Sequence, residues 1–402
     1  MKLAILTQYY PPEMGAPQAR LSELAQRFAE RGHEVIVLTA LPNYPRGKIY
    51  PGYKHLYQRD TQNGIPVIRS YIYPTKSVKM VRRLTSYFSF VFSSSVIGSL
   101  ALPNIDYLLT ESPPLFLGMG GYLLSRLKRA RWIFNVSDLW PESAVHLGAV
   151  SEGWGLQAAY ALEAFCYRKA WLVTGQSHGI LESVQGRFPH VRTYHLSNGV
   201  DTTRFTPLKH SIEFRNRLLS DNVCIAIYAG LHGIAQGLDQ ILEGATHLQN
   251  LSGCQIVLIG DGPEKERLVN MSEDMALKNV HFHDPVSHGS IPELLASSDI
   301  ALVPLKKTLP GAVPSKLYEA MASGLPVILI AEGEPARIVN EIGCGITVQP
   351  GDTKSLVEAL KQLAENPAKR QQLGQIGRNT AIARFDRQQI ADSFIDYLDL
   401  HI

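Results

Sequence analysis

The stretch PSKLYEAMASGLPVI (314–328) sets a lysine and a glutamate three residues apart near a helix start. Ser315 reads as an N-cap, which puts Lys316 at the first helical position, where a cation opposes the positive end of the helix dipole. Glu319 comes one residue too late to close a capping box with Ser315. Leu317, Ala320, Met321 and Gly324 share one helical face, and Lys316, Glu319 and Ser323 share another. The two charges are either a surface pair worth about 0.2–0.5 kcal/mol, or they hold something.

Other residues are placed for chemistry. NVSDLWPES (135–143) puts Asp138 at the end of a hydrophobic strand, where a carboxylate can act on a substrate hydroxyl or cap a local turn. Three segments run strand, glycine loop, helix: TQYYPPEMGAPQARL around Gly15-Ala16, YAGLHGIAQGLD around Gly230, and LIGDGPEKERL around Gly260 and Gly262. Backbone N–H groups in such loops receive phosphate. No GxGxxG follows the first strand, which disfavours a nicotinamide site there. Neither an Asp-x-Asp motif nor a His/Cys cluster at metal spacing occurs. Asn198-Gly199 signals a turn.

These residues need a scaffold, and the sequence supplies one. A chain of 402 residues, 45% hydrophobic and 19% charged, is an ordinary globular composition long enough for two cores. Short runs rich in Ile, Val and Leu alternate with helical patterns, which predicts parallel sheets covered on both faces. The series restarts after NGVDTTRF (198–205), so two doubly wound domains are expected, with a ligand site in the cleft between them at the carboxyl ends of the strands. Four dispersed cysteines (Cys166, Cys224, Cys254, Cys344) suit a reducing compartment. The opening MKLAILTQYYPPE reads as a first strand rather than a signal peptide.

Charge is uneven. Residues 1–200 hold 21 Lys/Arg against 12 Asp/Glu, and residues 201–402 hold 18 against 24. Much of the basic excess lies in 46–83, either as a solvated face or as an attraction for an anionic surface. RRLTSYFSFVFSSSVIGSLAL (82–102), interrupted by six serines and short for a membrane span, reads as a buried helix first, a basic-flanked interfacial one second and a true span last.

Taken together, PPEMGAPQARLSELAQRFAERGHEVIVLT, NGVDTTRF, LIGDGPEKERL and PSKLYEAMASGLPVI resemble the retaining, nucleotide-sugar-dependent glycosyltransferases of family 4 over nearly the whole chain. Within that family YYPPEMGAPQAR, DLWPES and AGLHGIAQGLD look most like bacterial O-antigen and capsule enzymes, L-fucosamine transferases among them. The resemblance implies an α/β GT-B fold: two facing Rossmann-like doubly wound parallel-sheet domains with an interdomain cleft. It implies an acceptor-binding domain at 1–203, a nucleotide-sugar-binding domain at 204–383, and a C-terminal helix (384–402) packing back on the first. Glu319 then matches the second glutamate of the E-x7-E motif and accepts hydrogen bonds from the donor ribose. Lys316 sits near the diphosphate and stabilises the leaving group. Gly260, Asp261 and Gly262 match the loop beside the nucleotide, and Pro285 and Val286 the stretch meeting the base. Gly15 and Ala16 match the acceptor-domain loop, while Gly230, His232 and Ser315 complete the donor site. Asp138 is the nearest candidate for the family's catalytic histidine.

Three departures are visible. Gly311 stands where the first glutamate is usual, so backbone amides of Gly311, Ala312 and Val313 are expected to replace it. Leu231 and Gln236 stand where an Arg and a Lys are usual, which leaves Arg20 and Lys306 as further phosphate contacts. The implied substrates are a UDP-sugar, such as an N-acetylated amino or deoxy sugar (L-FucNAc), and an isoprenoid-diphosphate-linked saccharide. The protein is expected to work without metal or cofactor and without nucleic acid, on the cytoplasmic face of the inner membrane. A UDP-sugar 2-epimerase using Glu111 and Asp138, or a non-catalytic sugar-nucleotide-binding subunit, are the alternatives.

Overall fold

The computed structural model describes residues 1–401 except 55, 78, 147–152, 210, 220–222, 250–252 and 308. The chain forms two units, one of Met1–Asn198 with the residues from Arg387 onward, the other of Gly199–Asp386. These boundaries fall at 198 and 386 instead of 203 and 383. The Val200 N–H donates to the Phe385 carbonyl (2.8 Å) and the Thr202 hydroxyl to the Asp386 carboxylate (2.5 Å), so both crossing segments are held inside the second unit.

In the first unit eight strands order as β3-β4-β2-β1-β5-β6-β7-β8. They are β1 (Lys2–Leu6), β2 (Glu34–Ala40), β3 (Tyr57–Gln62), β4 (Ile65–Ser70), β5 (Tyr107–Ser112), β6 (Arg131–Val136), β7 (Leu172–Gly175) and β8 (Thr193–His195). Alternate residues of one strand enter opposite cores: Ala4 and Leu6 pack with Leu38, Leu108 and Phe134, while Leu3 and Ile5 pack with Val37, Leu109 and Ile133. That is the period of two of a sheet covered on both faces. The expectation of a wholly parallel sheet needs one correction. β3 is an antiparallel edge strand on β4, joined through Asn63 (φ 50°) and Gly64 (φ 80°), a pair of left-handed residues suited to a tight hairpin.

Three helices of this unit matter below: α1 (Ala16–Glu30), α2 (Met80–Ala101) and α3 (Leu117–Lys128). The terminal helix Arg387–Asp399 lies on α1, where Arg27 grips Asp392 (2.6 and 2.8 Å), Arg387 meets Glu23 (2.8 Å), and Phe394 packs edge-on against Phe28.

The second unit carries β9 (Cys224–Ala229), β10 (Cys254–Ile259), β11 (Val280–His283), β12 (Ile300–Pro304), β13 (Val327–Ile330) and β14 (Gly345–Val348). They are all parallel, in the order β11-β10-β9-β12-β13-β14. The order reverses between β9 and β12, and a crevice opens at the carboxyl ends of strands at such a switch.

Candidate functional site

At the carboxyl edge of the second sheet two glycine loops are zipped together. The Gly230 N–H donates to the Ile259 carbonyl (2.8 Å), the His232 N–H to the Asp261 carbonyl (2.9 Å), and the Glu264 N–H to the His232 carbonyl (3.0 Å). A Cβ on Gly260 would stand 1.8 Å from the Gly230 carbonyl oxygen, so only glycine permits this approach. Asp261 caps its own loop through the Gly262 N–H (2.8 Å). His232 is wholly buried between Tyr228 and Phe282, and burial holds its pKa below the ordinary histidine value.

The helix Ser315–Ala322 starts beside these loops. Its N-cap is Pro314, not Ser315, and no side chain caps it, so Ser315 is the first helical residue and Lys316 the second. Leu317, Ala320 and Met321 are buried as their spacing predicts; Ser323, just past the helix end at Ala322, is buried too, its hydroxyl without a partner among the described residues. Lys316 and Glu319 do not pair with each other, and neither has an ion-pair or hydrogen-bonding partner for its side chain among the described residues. The Lys316 ammonium lies over the Tyr228 ring, 5.7 Å from its centre, in the space a Gly230 side chain would fill: a Cβ there would meet Nζ at 2.5 Å. The Tyr228 hydroxyl donates to the Leu231 carbonyl (2.7 Å), which locks that ring in place. The result is a half-buried ammonium with no counterion, next to glycine backbone.

The carboxyl edge of the first sheet is built differently. Arg20, on α1, reaches Glu111 on β5 (2.7 Å), the Ser137 hydroxyl (2.9 Å) and the Asn198 side chain (2.8 Å). Asn135 donates to the other Glu111 oxygen (2.5 Å) and accepts from Thr174 (2.6 Å). The side chains of Arg20 and Glu111 are 7% and 3% exposed, so this is an interior network. Beside it, burial first and the Glu111 charge second push the Asp138 carboxyl up to about 6.

Residues 15–199 match the family described as Glycosyl transferase 4-like domain, and residues 211–380 match Glycosyl transferases group 1. Over 98% of the chain, the sequence is 26% identical to the putative colanic acid biosynthesis glycosyl transferase WcaI of Escherichia coli K12, covering 99% of that protein. The chain belongs to the family 4-like glycosyltransferases. Solved structures agree on the fold. Sucrose-phosphate synthase from Thermosynechococcus elongatus superposes with a TM-score of 0.77 at 17% identity, covering 100% of this chain and 99% of that one. Anabaena HepE in complex with UDP gives 0.73 at 18%, covering 99% and 100%. The fold is therefore GT-B.

In this glycosyltransferase the expected donor residues Gly230, His232, Gly260, Asp261, Gly262 and Lys316 come together at one sheet edge, with Glu319 one turn along the helix from Lys316. Pro285 and Val286 follow β11, where Pro285 is exposed and Val286 packs partly on the core. Gly311, Ala312 and Val313 lead into the helix; the first two are half-exposed and Val313 is buried. Gly15 and Ala16 are exposed at the uncapped start of α1. The two further cations are both paired in this structure. The Arg20 guanidinium meets Glu111, Ser137 and Asn198. The half-exposed Lys306 is paired with Asp239 (3.2 Å). Where the departures fall, Leu231 points to solvent and Gln236 turns its amide oxygen toward Gly233. Tyr228 is the site residue that sequence reasoning does not single out, although an aromatic two residues before a strand-end glycine is a usable signal for a cation platform.

Proposed function

We propose that this glycosyltransferase moves a sugar, with retention, from a UDP-sugar to a hydroxyl of a lipid-linked saccharide during assembly of a surface polysaccharide. The observation that carries the reading is the unpaired Lys316–Glu319 couple beside the Gly230 and Gly260 loops. Diphosphate charge grows as the glycosidic bond to the donor breaks. An ammonium already freed from counterions, with adjacent backbone amides, meets that charge without reorganisation. Glu319 accepts from the ribose hydroxyls. The Gly311–Val313 amides stand in for the missing first glutamate. Asp138 remains the candidate for orienting the acceptor hydroxyl. We propose no metal in this step, because the cation and amides supply the positive field. The relative named for colanic acid biosynthesis supports a surface polysaccharide product. Glu111 has both oxygens engaged by Arg20 and Asn135, which weighs against it as the acid–base group of the epimerase alternative.

We further place the enzyme on the cytoplasmic face of the inner membrane. α2 is long and apolar enough to cross a membrane, yet it packs on α3 with Phe90 and Val91 buried, while Phe92 and Leu100 are 73% and 80% exposed. Such a helix lies in the interface.

Calorimetric titration with UDP, GDP and ADP, with and without a chelator, tests the donor assignment. UDP alone is expected to bind, chelator is expected to change nothing, and Glu319→Ala is expected to weaken UDP about 10–100-fold, the worth of hydrogen bonds to a charged acceptor. Unchanged UDP affinity in that variant would make the helix a packing element only.

A further inference from the structure

The helix Ser315–Ala322, which carries Lys316 and Glu319, is only eight residues long, and its two ends are held differently. At its start no side chain caps it, and Lys316 opposes the dipole. At its end each of the last four carbonyls has a donor. The Ser323 N–H donates to Glu319 (3.0 Å), the Leu325 N–H to Ala320 (3.1 Å) and the Gly324 N–H to Met321 (3.0 Å), with Gly324 at φ 74°. That is the Schellman pattern, and it leaves the Ala322 carbonyl without a donor from its own turn. Arg378 supplies one, from a guanidinium nitrogen 2.7 Å away.

Arg378 belongs to another helix, Pro367–Arg384, whose approach is set by its sequence. Gly374, Gly377 and Arg378 are spaced to share one face. A Cβ on Gly374 would collide with the Gly324 carbonyl oxygen, and one on Gly377 would stand 3.3 Å from Cys344 and 3.5 Å from the Met321 backbone. These glycines seat the second helix on the end of the first, and Arg378 follows them in. The same Nη1 donates to the carbonyls of Thr202 (3.0 Å) and Phe205 (2.7 Å), in the segment by which the chain enters the second unit. Two N–H bonds therefore serve three acceptors, and one of them is shared. All three acceptors are backbone carbonyls. Burial pulls the Arg378 pKa below the ordinary arginine value, and the Asp386 charge opposes this.

A buried guanidinium spent on backbone carbonyls fixes where those points of the chain lie relative to one another. Its charge also favours the negative end of the helix dipole, at the opposite end from Lys316. In so short a helix, a shift of the Ala322 end is also a shift of Lys316 and Glu319. We infer that Arg378 is a positioning residue for the donor: it fixes the end of the Lys316–Glu319 helix against Thr202 and Phe205, so that both charges stand where a sugar nucleotide meets them. A nucleotide that orders this helix then orders residues 200–205 as well, through one side chain. The inference rests on the donor-site reading, and its test separates the two.

Wild type, R378K and R378Q are compared as full chains, at a temperature where denaturation shows each fully folded. Each is titrated with UDP by calorimetry and followed by hydrogen exchange with and without UDP. In the wild type, UDP is expected to slow exchange in 317–322 and in 200–205 together. R378Q is expected to bind UDP about tenfold more weakly, the lower end of what a hydrogen bond to a charged acceptor is worth, and to lose the protection of 200–205. R378K keeps the charge and a donor, and is expected to recover most of the affinity. A folded R378Q with wild-type UDP affinity would reduce Arg378 to a fold-stabilising contact and overturn the inference. So would protection of 200–205 that survives in R378Q. Should R378Q not fold, the wild type decides: UDP protection confined to 317–322 overturns the inference, and joint protection with 200–205 supports it. A wild type that binds no UDP defeats the donor-site reading, and this inference with it, whereas a failure confined to R378Q leaves that reading intact.

Discussion

Both sheets of this glycosyltransferase present a cation and a carboxylate at the carboxyl edge, and they treat them in opposite ways. In the first unit Arg20 and Glu111 are buried against each other and further engaged by Ser137, Asn135 and Asn198. In the second unit Lys316 and Glu319 lie one helical turn apart, half-buried and unpaired. The first arrangement is an interior ion pair, whose Coulomb attraction offsets the desolvation of two charges and commits them to each other. The second keeps two charges partly hydrated and available, at the cost of holding an ammonium against the helix dipole. Position at a sheet edge does not distinguish structural from ligand-binding charge. The state of the partners does.

The largest test of this contrast is Glu111→Ala. It leaves the Arg20 guanidinium buried without its counterion, and chemical denaturation is expected to show a loss of about 3–5 kcal/mol. Replacing both residues, as Arg20→Met with Glu111→Leu, is expected to recover most of that loss, because no unpaired charge remains. UDP affinity of the folded fraction should be unaffected. A small effect for Glu111→Ala alone would mean that the network is not the interior pair described above.

Lys316→Gln probes the other side. The ammonium contributes no ion pair to the fold, so stability is expected to stay within about 1 kcal/mol of wild type. Turnover with a UDP-sugar is expected to fall about 10²–10³-fold, the usual loss when one group stabilising a developing negative charge is removed. Denaturation and turnover measured on the same preparation separate the two effects. A variant that loses stability and keeps turnover would invert the comparison and move the catalytic cation elsewhere.

The same contrast explains what is legible in the sequence. The alternation of short apolar runs with helical patterns and the restart near 200 follow from patterning, and the structure has a largely parallel sheet on either side of that restart. β3 escapes such patterning because YQRDTQ is polar, as an exposed edge permits; the Asn63-Gly64 turn is its available signal. Lys316 and Glu319 stand out because their placement is poor helix chemistry, and a local rule broken without local benefit is visible in one dimension. Arg20 breaks no rule. Its engagement depends on Glu111 and Ser137, far away in sequence, and only the fold brings them to 2.7 and 2.9 Å. The reach of Arg378 is invisible for the same reason, since its acceptors lie at Thr202, Phe205 and Ala322.

The smallest expected effect concerns Asp138, which sits between the two cases: half-buried like Lys316, next to the buried Glu111 network, and without a counterion among the described residues. Burial, then the Glu111 charge, raise its pKa from 3.8 to about 6. The folded state therefore keeps a proton that the unfolded state releases near pH 4, and stability falls as pH rises from about 4 to 6. Asp138→Asn removes that penalty. The variant is expected to gain about 1–3 kcal/mol over wild type above pH 6, since each tenfold change in acidity is worth about 1.4 kcal/mol, and to show little gain at about pH 4. His195, held neutral by burial and His178 with a pKa of about 4, acts in the reverse sense, destabilising the fold as pH falls below about 6.5; it is common to both proteins and cancels in the difference. A gain independent of pH would show that the substitution acts through packing. A pH-dependent gain accompanied by lost transfer would place Asp138 with Lys316, as a charge whose cost to the fold is tolerated because the reaction uses it.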